Sequence, residues 1–236
     1  MKRPFAICLI LVLVSYNGWI FSQEDSAKLV KFTPEFRFED GIYLNFDQVK
    51  HNAPIPRSRL LTNKAFDDRE FLEYLLQNKT ISYYDAVGGR QTVRVNDLWG
   101  FSRNGVLYIR LEDNFNRITI VGRICHFVAT VTTYDTRYYD PYYYSPYNYY
   151  NNRYGAYPSN SSSSEMRQYM LDFETGKVVD YNVQNLEVLL MRDPELHDEY
   201  MQLRRKKKKQ RKFLYLRKFN ERNPLYIPVE DNKFNQ

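Results

Sequence analysis

Cysteine is scarce: Cys8 and Cys125 are the only two in 236 residues. Cys8 lies inside an apolar N-terminal run, and once that run is removed Cys125 has no partner. An intramolecular disulfide is thereby excluded, and burial must stabilise the fold. Histidine is nearly as rare. His51, His126 and His197 fall in three separate elements without the short spacings of a zinc site, so no metal pattern can be drawn. The chain also lacks a glycine-rich phosphate loop, a Gly-x-Ser-x-Gly elbow and a His-Glu-x-x-His helix, the motifs that announce a cofactor or a catalytic centre. No residue is assigned a catalytic, cofactor-binding or metal-binding role on this basis, and no cofactor is expected. Cys125 and His126 are adjacent, but neighbours in a strand face opposite sides of the sheet and form no thiol and base dyad. Carboxylates converging from separate strands leave no local trace, so a hydrolase acting on envelope polymers stays among the alternatives.

The N-terminus has Lys2 and Arg3, an apolar run from Phe5 to Val14, and Ser15 to Ser22 ahead of Gln23, Glu24 and Asp25. That order of basic, apolar and small residues reads as a secretory signal over residues 1–22, cleaved near Ser22 and Gln23. The formal charge of +6 becomes +4 without Lys2 and Arg3. Arg204 to Lys212 alone carries eight basic residues (Arg204, Arg205, Lys206, Lys207, Lys208, Lys209, Arg211 and Lys212), so everything else sums to −4. The basic character belongs to one stretch of nine residues.

What is abundant is the pattern of strands. From Thr80 to Tyr134 short runs rich in Val, Ile, Tyr and Thr are divided by Gly and Asn clusters, as in an antiparallel meander joined by hairpins. Gly88-Gly89 and Asn104-Gly105 mark hairpin turns, and Gly122 a bulge or bend. Residues 23–64 read as an extended lead-in with one strand, Gly41 to Phe46, and 65–229 as a single domain. Asp67 to Gln77 reads as a helix with Phe71, Leu72, Leu75 and Leu76 on one stripe. Tyr134 to Ser164 holds eleven tyrosines, including Tyr142, Tyr143 and Tyr144, and Ala156 as its only aliphatic residue. It is expected as a flexible Tyr/Ser-rich loop between two strands, with a contact surface in its tyrosines. Met166 to Phe173 and Lys177 to Asn182 make a further hairpin at Thr175-Gly176. Val183 to Met191 is helical, and Asp193-Pro194-Glu195 restarts a helix. Its apolar stripe fails at Lys207 and Gln210 and resumes at Phe213. Taken as one helix to about Phe219 it has two ends that dock and a basic middle that does not. Residues 230–236 are expected to fray.

The fold expected is therefore α+β: an antiparallel β-meander, as a curved sheet or partly closed barrel, with covering helices and a long C-terminal helix. The basic run would be drawn to an anionic envelope lipid or polysaccharide, or serves as a solvated helix face. Nucleic acid is argued against by secretion and by the lack of a recognised module around the run. A small apolar-ligand carrier with a barrel-like cavity is the other alternative.

With GIYLNFDQVKHNAP at Gly41 to Pro54, DLWGFSRNGVLYI at Asp97 to Ile109 and LRKFNERNP at Leu216 to Pro224, the chain resembles uncharacterised secreted proteins of Bacteroidetes-type bacteria. The resemblance carries no known activity and transfers no site residue. It implies an exported protein of the periplasm or outer-membrane surface, whose partner is another envelope protein or an anionic envelope surface. Asp25-Ser26-Ala27 looks like the short O-glycosylation pattern of that lineage, with Ser26 as acceptor. Expressed with its own N-terminus in such a host, the chain should accumulate with Gln23 as its first residue by intact mass. A mass that retains residues 1–22 would overturn cleavage.

Overall fold

A computed structural model describes residues 28–65, 68, 70–134 and 162–229. The expected signal over residues 1–22, Ser26, Tyr142 to Tyr144 with residues 135–161 of the expected loop, and residues 230–236 lie outside the described residues. In chain order the elements are β1 (Lys28–Lys31), β2 (Gly41–Tyr43), α1 (Phe46–Lys50), β3 (Ile55–Pro56), β4 (Leu60–Leu61), α2 (Phe71–Leu76), β5 (Thr80–Tyr84) and β6 (Arg90–Arg94). There follow β7 (Gly100–Arg103), β8 (Val106–Leu111), β9 (Asn114–Ile120), β10 (Ile124–Tyr134), β11 (Ser162–Asp172) and β12 (Val178–Asp180). Then come α3 (Val183–Leu190), α4 (Pro194–Met201), α5 (Arg205–Arg222) and β13 (Tyr226–Val229).

The fold is α+β with antiparallel sheets. Eight strands form one sheet in the order β12-β11-β10-β9-β8-β7-β2-β3, β4, β5 and β6 form a second, and β1 pairs with β13. The large sheet is open, with β12 and β3 at its edges, so no closed barrel is built. Gly100 faces Ile109 across the β7 and β8 hairpin. Its turn, Asn104-Gly105, holds φ of 53° and 73°, the left-handed pair that a two-residue hairpin needs. The Asp40 carboxylate accepts from both turn amides, at 3.0 and 2.9 Å, and so ties the segment before β2 to the sheet.

Five expectations need correction. The stretch from Thr80 to Tyr134 is not one meander: β5 pairs with β4 on one side and β6 on the other in a separate sheet, and a 3₁₀ turn at Val95–Asp97 carries the chain into the larger sheet. The lead-in holds four short strands rather than one, and β2 and β3 are part of the eight-stranded sheet. The first long helix shrinks to Phe71–Leu76, because the Asp68 carboxylate turns back to accept from the Glu70 amide at 2.8 Å. Finally, the long C-terminal helix is present as α5, but the helix restarted at Asp193 is a separate one, α4, and does not run into it. The chain leaves helical geometry at Arg204 (ψ 148°), and the 18 residues of α5 span roughly 27 Å at 1.5 Å per residue. The break lets Tyr200 of α4 and Tyr215 of α5 pack with ring centroids 4.7 Å apart. The strands bounding the insert also run further than expected, to Tyr134 and from Ser162, because β10 and β11 pair in unbroken register over eleven residues each.

Both faces of the large sheet are filled by the protein's own side chains. On one, Cys125, Phe127 and Leu171 pack with Tyr43, Val49 and Ile227. On the other, Ile124 and Met170 pack under α3, α4 and α5 through Leu186, Leu190, Leu196, Tyr200, Tyr215, Leu216 and Phe219. A third cluster joins α2 to β5 and β7 through Leu72, Ile81 and Phe101.

Asn220 of α5 fixes the helix to the sheet. Its Oδ1 accepts from the Ile124 amide at 2.9 Å and its Nδ2 donates to the Ile124 carbonyl at 2.8 Å, where β9 pairing with β10 begins only at His126. Gly122 leaves the space this side chain occupies, since a Cβ there would stand 2.4 Å from Asn220 Nδ2. Replacing Asn220 by Ala bares an amide and a carbonyl at a fully buried residue, at about 1–3 kcal/mol each. Urea unfolding of Asn220→Ala should therefore show a loss of about 2–4 kcal/mol, and an unchanged midpoint would refute this anchoring role.

Candidate functional site

In α5 every third or fourth residue faces inward, as an amphipathic helix requires. Tyr215, Leu216 and Phe219 are buried, and one and two turns earlier the same stripe is held by Lys212 and Lys208. The expectation that the basic middle does not dock is thus corrected for these two lysines. Lys208 Nζ donates to Glu187 Oε1 at 2.7 Å, with only 11% of its side chain exposed, and Tyr200 Oη donates to its carbonyl at 3.1 Å. Lys212 Nζ donates to the Tyr181 carbonyl at 2.7 Å and stands 4.0 Å from the centroid of the Tyr181 ring. Both lysines lay their aliphatic stems on apolar surface and deliver the charge to its edge.

The remaining six residues of the basic run behave differently. Arg204, Arg205, Lys206, Lys207, Lys209 and Arg211 are exposed. None has a carboxylate within ion-pair reach among the described residues. The other end of α5 is fully paired: Lys218 with Glu199 at 2.8 Å, Arg222 with Asp193 at 2.7 Å and Glu195 at 2.5 Å, Arg217 with Glu221 at 4.0 Å. The unpaired charges also crowd the first turn of the helix, where the free peptide amides are already positive. No side chain caps that turn.

Between this part of α5 and the sheet lies an open groove of about 520 Å³, lined by Met166 to Gln168 of β11, Asp180 and Tyr181 at the end of β12, and Lys209, Gln210, Lys212 and Phe213 of α5. It exists because β12 stops early. The Tyr181 amide makes the last bond across to the Gln168 carbonyl, at 2.9 Å, and Asn182 then caps α3, its Oδ1 accepting from the Asn185 amide at 2.8 Å. Beyond Gln168 β11 therefore has no β12 partner. His126 is buried behind the lining, against Gln168, Tyr181 and Phe213. Its Nε2 is 3.1 Å from Gln168 Oε1, and its ring meets the Tyr181 ring edge-on at 4.8 Å. Burial and the nearby Lys212 ammonium hold its pKa below the ordinary value. Burial also lowers that of Lys212, with help from Lys209.

Cys125 is on the opposite face of the sheet, wholly buried, its thiol donating to the Gly122 carbonyl at 3.2 Å. Burial pushes its pKa up to about 12. The two buried acids are structural: Asp172 pairs with Arg192 at 2.9 Å, and Asp193 caps α4 and pairs with Arg222. Among the described residues no three His, Cys, Asp or Glu side chains are grouped to hold a metal. No described helix is long and apolar enough to cross a membrane. His126, Gln168, Tyr181 and Phe213 were not singled out from sequence. The available signal was spacing: Lys208 and Lys212 precede Leu216 by eight and four residues, the positions an inward stripe occupies.

A family model matches residues 41–223, described as a family of unknown function, DUF6563. The chain belongs to this family. The match runs from β2 to the residue that ends α5, and so includes every residue of the groove. No curated protein and no solved structure matches the chain.

The depressed pKa of His126 couples the site to stability. Below pH 6.5 the unfolded chain takes up a proton that the folded ring resists, so stability should fall as pH drops through about 6.5 towards the folded pKa. Urea midpoints taken between pH 7.5 and 5.5 should decline in the parent protein and flatten in His126→Gln. Parallel curves for the two would contradict the assignment.

Proposed function

We propose that this protein is a non-enzymatic, exported protein of the periplasm or outer-membrane surface of Bacteroidetes-type bacteria, and that it engages an anionic envelope surface through the first half of α5. The observation that carries the reading is the charge asymmetry of that helix. Its second half spends every cation on a carboxylate, while six cations in and around its first turns have none among the described residues. Ion pairs within the protein account for the one set and not for the other. Like charges concentrated at the positive end of a helix dipole oppose folding of that end, and an anionic partner relieves the opposition.

The export half of the proposal rests on the basic, apolar and small-residue order of residues 1–22. The non-enzymatic half is supported by the uses already found for the reactive groups: a thiol raised to about 12, and buried carboxylates that cap and pair. An apolar-ligand carrier draws no support from an open sheet whose two faces are packed by the protein's own side chains.

Sedimentation with vesicles of phosphatidylglycerol and phosphatidylcholine tests the reading. The protein should bind the anionic vesicles, weaken as salt is raised, and ignore vesicles of phosphatidylcholine alone. Near an anionic surface each basic residue contributes about 1 kcal/mol. The variant Arg205→Gln/Lys206→Gln/Lys207→Gln should therefore lose roughly a hundredfold in affinity. Equal binding by parent and variant would overturn the proposal.

A further inference from the structure

The groove beside α5 has a composition that a flat anionic surface does not use. Lys209 and Lys212 bring two ammonium groups without carboxylate partners to one wall. Phe213 stands on the same wall with 45% of its surface exposed, a bare ring at the edge of a polar cleft. Three further lining residues, Gln168, Asp180 and Gln210, are polar without being cationic. Among the described residues the Gln210 side chain makes no hydrogen bond, Gln168 uses its oxygen on His126 and leaves its amide nitrogen without a partner, and the Asp180 carboxylate has no cation within pairing distance. Arg167 is neutralised by Glu165 on its own strand.

Each group selects for part of a ligand. Two ammonium groups favour a carboxylate, and an exposed ring favours the apolar face of a flat, hydrogen-rich ring. Free amide donors and acceptors pair with hydroxyls, which both give and take hydrogen bonds. Asp180 discriminates most: it repels a ligand that is acidic throughout, such as an acidic peptide, and accepts from a hydroxyl. A volume of about 520 Å³ falls within the roughly 300–1,000 Å³ of small-ligand sites, and the groove is open to solvent.

We propose that the groove between β11, the end of β12 and α5 binds an acidic saccharide. Lys209 and Lys212 hold its carboxylate, Phe213 stacks on a sugar ring, and Asp180, Gln168 and Gln210 take its hydroxyls. The inference rests on the reading of α5 as an anion-binding element and names the chemistry of one of its ligands.

Isothermal titration of the exported protein with trigalacturonate, maltotriose and hexaglutamate tests it. Trigalacturonate should bind saturably and at least tenfold more tightly than either maltotriose, which lacks the carboxylates, or hexaglutamate, which lacks the hydroxylated rings. Phe213→Ala touches an exposed position and should keep the parent unfolding midpoint, yet lose at least tenfold in affinity for trigalacturonate. Lys212→Gln should lose as much. Arg90→Gln, which removes one positive charge from β6, should bind as the parent does. Tighter binding of hexaglutamate, equal binding of maltotriose, or undiminished affinity in folded Phe213→Ala would each overturn the groove assignment. The variant Arg205→Gln/Lys206→Gln/Lys207→Gln separates the two readings. If it binds trigalacturonate more weakly than Lys212→Gln does, the field of the helix holds the saccharide and the groove assignment fails, while vesicle binding still decides the broader proposal.

Discussion

Two hydrogen bonds between one asparagine and one backbone residue set the geometry of the helical side of this molecule. Asn220 satisfies both the amide and the carbonyl of Ile124, which at the start of β10 have no strand beside them. The side chain thus acts as a one-residue extension of the sheet, contributed by a helix. With that point fixed, the helical repeat determines the rest: Phe219 and Leu216 fall on Ile124 and Met170, and Lys212 falls on Tyr181 two turns back. Gly122 belongs to the same device, since any larger residue would occupy the place of the asparagine amide. Sequence reading expected a bend at this glycine. The need it answers is a close approach from a helix almost a hundred residues later.

Anchoring of this kind allows the other end of α5 to be built against its own preferences. A helix whose first turns are all basic, without a capping side chain, is poorly specified by local energetics. Three contacts compensate. Lys208 reaches Glu187, Lys212 reaches the Tyr181 carbonyl and ring, and Tyr200 closes on the backbone of Lys208. All three come from α3, α4 or the end of β12, so the basic turns are held by tertiary structure. Local consistency that is broken in one place and repaired from outside is the pattern expected where a site is kept at a cost to stability.

Much of the fold was legible because its turns carry their own chemistry. Asn104-Gly105 adopts the positive φ pair its residues favour, Asn182 and Asp193 cap the helices they precede, and Pro194 sits in the first turn of α4. What escaped was decided by contacts between distant residues. Nothing local marks Arg204 as the break between α4 and α5, since good helix formers lie on both sides. The break goes with Tyr200 and Tyr215 packing ring to ring across it. The stripe was read as failing at Lys207 and Gln210, and its continuation through Lys208 and Lys212 was missed because lysine counts as polar in a binary pattern, whereas a lysine stem over an aromatic ring fills a half-buried position. The groove was illegible for the same reason. Its residues come from three stretches, and only the early stop of β12 brings them together.

That early stop also explains why an open cleft persists beside a closely packed core. Asp180 is the last residue of β12, and two residues later Asn182 starts α3. A longer β12 would continue along β11 past Gln168 and fill the cleft with backbone. Because Asn182 spends its side chain on capping, the chain turns away, and β11 from Met166 to Gln168 faces α5 across empty space. The void sits where a half-buried ammonium, an exposed phenyl ring and an unpaired carboxylate converge. Packing alone would close such a space with aliphatic side chains, and the chain places polar and aromatic ones around it instead.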